Sequence, residues 1–354
     1  MLFSKSKSRL GIDIGTSNIK IVQLRPKDNK FILETYGLVN VAYQLGSKES
    51  TSSISQTTTL LKNLIKKSNA TATSVVASLP NNVVFTSVID MPRMPEDELR
   101  QAIEFEAKKY VPLPLEEIAL SWSQIEDRSS RQIVSEGSQS SFAPDNSKTK
   151  VLLTAVPTVV IDNYVRVLKD AGLEPEALEI EALALIRSLV GEDPSTVLVI
   201  DIGAKNSSIN LVDRGYLRLS KNLTVGGDTV TTSIAQSLSV NFARAEQFKK
   251  DFGLTSQGQQ IPQIMRPILD IIKNEAMQLI NLFESRGQQI SKILLSGGGA
   301  KLPNLAEYFQ ILGKPVALAN PLGKVVYPAE LKGIIEPLGL NLAAAIGLAM
   351  RREE

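Results

Sequence analysis

The sequence predicts an α/β protein of two duplicated lobes, with a small α+β module inserted into the first. Three observations carry this prediction. Residues 11–24, GIDIGTSNIKIVQL, return in altered form as residues 199–212, VIDIGAKNSSINLV. Between the two copies, residues 90–115 hold one amphipathic helix pattern set among short strand-like runs. The 354 residues, 43% of them hydrophobic, suffice for more than one core.

The first copy opens the chain. A run ending in Asp13-Ile14-Gly15 alternates like a strand, and a short polar turn leads to a second strand and then a third over Phe31 to Tyr36. Gly15 lets the chain bend without a Cβ and bring backbone N–H groups toward an anion, with Thr16, Ser17 and Asn18 as further donors. Lys48 to Thr59 is rich in Ser and Thr and is expected as a loop before a helix near Leu60 to Lys67. Strands follow at Ser74 to Ser78 and Val83 to Asp90.

The inserted module centres on DMPRMPEDELRQAIEFEAKKYVPLPL. Its helix starts at Pro95, with Glu96, Asp97 and Glu98 in the first turn, where the helix dipole favours acid. Leu99, Ile103, Ala107 and Tyr110 form one apolar stripe, and Pro112 ends the helix. Strands over Ile118 to Ile125 and Val151 to Val156 complete the module, joined by a long loop from Asp127 to Lys150.

The second copy ends its first strand in Asp201-Ile202-Gly203, followed by Ala204, Lys205 and Asn206, and its third strand spans Tyr216 to Leu223. Val225-Gly226-Gly227-Asp228 then leads into a helix from Thr229 to Leu238, a turn that would offer helix N-terminal amides to an anion. A helix carrying Glu246 and Lys249 on one face stops at Gly253. These two side chains could pair in solvent or contact a ribose. After a long helix over Ile264 to Glu284 and a strand over Lys292 to Ser296 come Gly297, Gly298 and Gly299, with Lys301 close behind. Three consecutive glycines are costly unless the backbone must approach something closely.

Asp13 and Asp201 end mirrored strands and are expected to face one space. Carboxylates beside a triphosphate repel it unless a cation intervenes, so the pair suggests Mg²⁺ held through water. The plainer reading of each is a strand-end cap. The chain has no Cys and no His, which excludes disulfides, Cys/His zinc sites and Ser-His-Asp or Cys-His nucleophile systems. A net charge of +2 argues against a broad nucleic-acid footprint. There is no Walker A motif. The basic start of the chain lacks an apolar stretch behind it, so no signal peptide is expected. The longest apolar run, Leu342 to Met350, is about half the ~20 residues a spanning helix needs, so membrane contact is expected to be indirect.

Asp13–Gly15–Thr16, Asp201–Gly203, Gly226–Gly227–Asp228, Glu246 with Lys249, and Gly297–Gly299, in this order, resemble the actin/Hsp70/sugar-kinase ATPase superfamily, with its actin-like, ribonuclease-H-like duplicated fold. The insert pattern Pro95, Glu98, Ala102, Glu106, Tyr110, Pro112, Pro114 resembles the PilM family of type IV pilus assembly, which is similar to the division protein FtsA. The resemblance implies ATP with Mg²⁺ in the cleft. Phosphates would lie on Gly15, Thr16, Ser17, Asn18 and Lys20 and on Gly203, Ala204, Lys205 and Asn206, flanked by Gly226, Gly227 and Asp228. Glu246 and Lys249 would meet the sugar, Gly297, Gly298, Gly299 and Lys301 the adenosine, and Asp13 and Asp201 the metal.

It further implies four parts: a first core of residues 1–79, 172–194 and 338–354; an insert of 80–171; a second core of 195–225 and 290–337; and a helical part of 226–289. The expected partner is the cytoplasmic N-terminal peptide of a PilN-like inner-membrane protein, in a groove near Phe105, Tyr110, Val111 and Leu113. The protein would then sit at the cytoplasmic face of the inner membrane through that partner, in a pilus or related type II secretion platform. FtsA members carry a further membrane helix that is not seen before Glu354, which favours PilM. The alternatives are an FtsA-like polymer-forming division protein, a small-molecule kinase of the superfamily, and a scaffold that has lost its nucleotide. Glu179 and Glu181 are the candidates for general base or water-orienting group, and turnover is left open.

Overall fold

The computed structural model describes residues 7–41, 51–111, 114–125, 148–255 and 260–352. The chain begins with β1 (Arg9–Ile14), β2 (Asn18–Lys27) and β3 (Lys30–Asn40), then α1 (Thr51–Ser68) and β4 (Ser74–Leu79). The Ser/Thr-rich stretch before Leu60 is thus already helical from residue 51. The insert follows as β5 (Phe85–Pro92), α2 (Glu96–Tyr110), β6 (Ile118–Ile125) and β7 (Lys148–Pro157). Residues 148–150, expected in a loop, pair with β5 and β6 instead; residues 127–147 of that loop lie outside the described residues.

Next come α3 (Thr158–Asp170), β8 (Glu174–Ile180) and α4 (Glu181–Leu185), which continues as a π-helical turn, Ile186–Val190. The second lobe holds β9 (Thr196–Ile202), β10 (Ser207–Asp213), β11 (Tyr216–Leu223), α5 (Gly227–Leu238), α6 (Phe242–Phe252), α7 (Gln260–Glu284), β12 (Lys292–Ser296), α8 (Leu305–Phe309) and β13 (Val316–Leu318). The chain then returns to the first lobe through β14 (Val325–Val326) and α9 (Lys332–Ala349).

The two lobe sheets run β14-β3-β2-β1-β4-β8 and β11-β10-β9-β12-β13, and the insert sheet runs β5-β7-β6. In each lobe the duplicated hairpin is antiparallel, while the strand on its other side, β4 or β12, pairs parallel to it. Such central strands are covered on both faces, so β4 and β9 read as near-continuous apolar runs, while β1, which alternates in sequence, is still buried along almost its whole length.

Two boundaries of the expected four-part division move. Helix α3, assigned to the insert, buries Val160, Tyr164, Val167 and Leu168 in one core with β1, β4 and α1 of the first lobe. Leu322, Val325 and Ile335 pack with Val22, Leu24, Phe31 and Leu33, so the return to the first lobe occurs well before residue 338. Helices α5, α6 and α7 share one core with β9, β10 and β12 rather than forming a separate cluster.

Helix α9 is longer than the apolar run seen in the sequence. Ala329–Ala349 is long and apolar enough by composition to cross a membrane, with a mean hydropathy of 1.3. In the fold it is a core helix, with Leu342 to Ala349 buried against β1, β2 and α4. Its small residues have a geometric cause. A Cβ on Gly11 of β1 would lie 2.1 Å from Ala345 O, and one on Gly347 would lie 1.9 Å from Ala184 O. Only backbone-to-backbone packing fits at both places.

In the insert, Leu99, Ile103 and Ala107 of α2 are buried against β5, β6 and β7 as the stripe predicts. Tyr110, counted in that stripe, is instead 44% exposed. The other side of this sheet is not free. Val84, Val88, Ile125 and Leu152 share a core with Ile180 and Ile186 of the crossing segment, residues 180–190, which leads from β8 to the second lobe, and with Val197, Val199, Val212 and Leu217 of the second lobe.

Candidate functional site

A cleft of about 970 Å³ separates the lobes, within the usual range for small-molecule sites. The two duplicated turns form its floor and have the same backbone closure. Gly15 N–H donates to Asn18 O at 3.0 Å, and Gly203 N–H donates to Asn206 O at 3.0 Å. Thr16, Ser17, Asn18, Ala204 and Asn206 line the same space. A Cβ on Gly203 would stand 2.8 Å from Asn206 O, so the second turn needs glycine for its tightness.

The strands place Asp13 opposite Lys20, and Asp201 opposite Ser208. The Lys20 ammonium reaches Asp13 Oδ2 at 2.6 Å, and the Ser78 hydroxyl donates to Asp13 Oδ1 at 2.9 Å. Glu181, the first residue of α4, accepts from Asn81 Nδ2 at 3.0 Å and lines the cleft. Burial works against the charge on Lys20, but Asp13, Glu181 and Asp201 outweigh it and hold its pKa above the usual lysine value. Burial pushes the Asp201 carboxyl up to about 6; Ser296 and Lys20 pull it down, and Asp13 pushes it further up. Burial, Asp13 and Asp201 raise Glu181 well above the carboxylate range against the pull of Lys20.

Three carboxyls therefore face one ammonium, and burial with repulsion from neighbouring carboxylates holds the Asp201 and Glu181 carboxyls above their ordinary range. Such a donor set fits a divalent cation, which would supply the missing positive charge. Among the described residues, no three Asp or Glu side chains come close enough to cage a metal directly. The set therefore fits a cation contacted through water or shared with a bound anion.

The second lobe supplies the opposite wall. Gly226, Gly227 and Asp228 line the cleft, but not with free helix-start amides. Gly227 N–H donates to Gly203 O at 2.9 Å and Asp228 N–H to Ala204 O at 2.7 Å, so these groups brace the second turn. A Cβ on Gly226 would collide with Ala204 O at 2.5 Å. Burial raises the Asp228 carboxyl against the pull of Lys249, Lys205 and the Ser17 hydroxyl. Glu246 pairs with Lys249 at 2.6 Å, and Lys249 also donates to Thr231 Oγ1 at 2.8 Å. Both side chains line the cleft while holding α6 to α5.

The three glycines lie at the cleft edge for a reason found within the fold. Gly297 has φ +82°, and a Cβ there would lie 2.4 Å from Ile202 O; one on Gly299 would lie 2.3 Å from Ile202 Cγ2. A Cβ on Gly298 would face Asn341 Nδ2 at 2.9 Å. What comes close to this backbone is the end of β9 and α9. Lys301 Nζ bonds to Asn341 Oδ1, and burial with nearby Lys250 lowers the Lys301 pKa.

Three expected site residues lie elsewhere. Lys205 is exposed and does not line the cleft. Glu179 is outside the cleft wall, in a two-pronged ion pair with Arg187 at 2.7 and 3.0 Å, so it is a structural acid and not a candidate base. Val111 is buried in the insert core. Leu113 lies outside the described residues. Phe105 and Tyr110 are exposed at 65% and 44%, with Lys108 and Lys109 both about 6 Å from the Phe105 ring. Residues that the sequence did not mark also reach the cleft, among them Asn81, Asn222, Lys250 and Asn341. Asn81 and Asn341 sit far along the chain from both duplicated turns, and no local pattern singles them out.

The family described as type IV pilus assembly protein PilM matches residues 11–353 of the chain. Among solved structures, the PilM-PilN type IV pilus biogenesis complex superposes with a TM-score of 0.82 at 25% identity, covering 97% of this chain and 98% of that one. The cell division protein FtsA of Streptococcus pneumoniae serotype 2 is 23% identical over 350 residues, which is 88% of this chain and 75% of that protein. The chain spans about half the length of several other FtsA proteins that it matches. MreB5 of Spiroplasma citri bound to AMPPNP shares the fold, with a TM-score of 0.53 at 13% identity over 97% of this chain and 95% of that one.

Proposed function

The chain belongs to the PilM family of type IV pilus assembly proteins, and on that premise we propose that it is a nucleotide-gated adaptor of the inner-membrane assembly platform. ATP binds between the lobes, and its presence sets the cleft angle and, with it, the surface offered to a partner. The observation that carries this reading is the pair of mirrored turns, Gly15–Asn18 and Gly203–Asn206, closed by matching hydrogen bonds and facing one cleft beside Asp13 and Asp201.

The phosphates rest on the two turns with Lys20 beneath them. Asp13 and Asp201 hold Mg²⁺ through water, and Glu246 and Lys249 face the sugar. Gly297 to Gly299 and Lys301 border the adenosine. The cation, when bound, balances the phosphate charge against the cleft carboxylates. Calorimetry with Mg-ATP tests this directly. Asp201→Ala is expected to weaken binding by about tenfold, the worth of roughly 1.4 kcal/mol, because the cation loses part of its outer shell. Unchanged affinity would remove the metal assignment.

The partner is the cytoplasmic N-terminal segment of a PilN-type inner-membrane protein, which would keep this chain at the cytoplasmic face of the membrane. The partner named with the matched PilM structure supports this, as do the exposed Phe105 and Tyr110 at the exit of α2. A synthetic peptide of that segment is expected to bind with different affinity in the presence and absence of Mg-ATP. Phe105→Ala is expected to weaken it by about tenfold, as for an aromatic anchor. The kinship with FtsA favours a second reading, a protein that polymerises with nucleotide. Sedimentation with ATP discriminates the two: an ATP-dependent pellet supports the polymer.

A further inference from the structure

Asn81 stands where three parts of the molecule meet. It follows β4 of the first lobe directly after Pro80 and opens a 3-10 turn, Asn81–Val83, that leads into β5 of the insert. Its side-chain Nδ2 donates to Glu181 Oε2 at 3.0 Å on the cleft floor. Its backbone carbonyl accepts from Asn222 Nδ2 at 2.9 Å, and Asn222 belongs to β11 of the second lobe. Val84 and Val88, just beyond the turn, are packed in the core that the insert shares with the second lobe.

We infer that Asn81 couples the cleft to the insert, so that occupancy between the lobes changes the order of β5 and α2. This rests on the nucleotide reading above and deepens it. Coupling requires a ligand to interact differently with two states of the protein. A bound polyanion with its cation changes the charge around Glu181, the acceptor of the Asn81 carboxamide. Movement of the second lobe changes the distance from Asn222 to the Asn81 carbonyl. The residue before Asn81 is a proline with φ −69° and ψ 135°, a ring-locked link that cannot absorb the displacement by rotating about φ. The displacement therefore passes forward into β5. The insert sheet cannot ignore it, because its far face is packed on the second lobe.

Amide hydrogen exchange of the full chain, with and without saturating Mg-AMPPNP, tests this. In the unaltered protein, nucleotide is expected to protect residues 15–18 and 203–206 and to change exchange in residues 85–92 and 96–110. Asn81→Ala is expected to keep the first response and lose at least half of the second. An insert response equal to that of the unaltered protein would overturn the coupling role. If Asn81→Ala does not fold, Asn222→Ala, at an exposed strand position, carries the test: its insert response should fall by about half, and an unchanged one overturns the role. Protection of the turns with a silent insert in the unaltered protein sinks the coupling alone. No protection of the turns sinks the nucleotide reading and the coupling with it.

Discussion

Asp201 shows how one side chain ties the cleft to pH. Its folded pKa is pushed up to about 6 from an ordinary 3.8, first by burial. Between those values the folded state binds the proton more tightly than the unfolded chain, so this group erodes stability as pH rises through that window. Above it, the charge stays unfavourable until a cation arrives. Two outcomes are expected. Asp201→Asn should raise the melting temperature of the nucleotide-free protein at pH 7.5 by a few degrees and leave it nearly unchanged at pH 4. Mg-ATP affinity of the unaltered protein should climb between pH 5 and pH 7, because the cation needs ionised carboxylates, and the climb should flatten in the variant. Arg187 is the contrasting residue. It neutralises the buried Glu179 and donates to Gly347 O at 2.6 Å, tying β8 to α9. Arg187→Met leaves that carboxylate only its longer contact with Arg351, at 3.5 Å, and is expected to cost up to about 3 kcal/mol in urea denaturation. The double variant with Glu179→Met should recover most of that.

At the scale of elements, the duplicated hairpins were legible because strand alternation and glycine turns are local signals. Helix α2 was legible for the same reason: acids in its first turn and Leu99, Ile103 and Ala107 at helical spacing belong to one short stretch. The purpose of the glycines was not legible in the same way. Gly297 and Gly299 serve contact with Ile202, and Gly226 serves contact with Ala204, because glycine reports close approach without naming what approaches. Helix α9 makes the point measurable. Gly347→Ala pushes a methyl into the Ala184 carbonyl and is expected to destabilise by about 3 kcal/mol or more, at or beyond the upper end of overpacking costs. Gly333→Ala, on the same helix with open space around it, should be neutral or stabilising by up to ~1 kcal/mol. Paired thermal melts check both, and similar losses at the two sites would refute the packing account.

Across the whole molecule, the insert, the crossing segment and the second lobe share one apolar core. The parts meet again at the cleft, where Asn222 of β11 donates to Asn81 O at 2.9 Å. Unfolding is therefore expected as one cooperative transition and not as separate melting of insert and lobes. Nucleotide at 100 times its dissociation constant should stabilise the fold by about 2.7 kcal/mol, seen as a shift of the entire calorimetric peak. Two resolved peaks, of which only one moves with nucleotide, would contradict this.

By itself the sequence determined the two-lobed α/β plan, the mirrored Asp-Ile-Gly turns, the amphipathic insert helix and the classes of chemistry that a chain without Cys or His cannot perform. All of these are properties of short segments or of composition. Tertiary structure alone decided which acid faces the cleft and which is locked to an arginine: Glu179 and Glu181 are two residues apart but lie in different surroundings. It also decided that Asn81, Asn222 and Asn341 reach the cleft, that Val111 is core, and that α3 belongs to the first lobe. These outcomes depend on contacts between elements far apart in the chain, and a side chain's surroundings at such distances are set by how the sheets and helices pack.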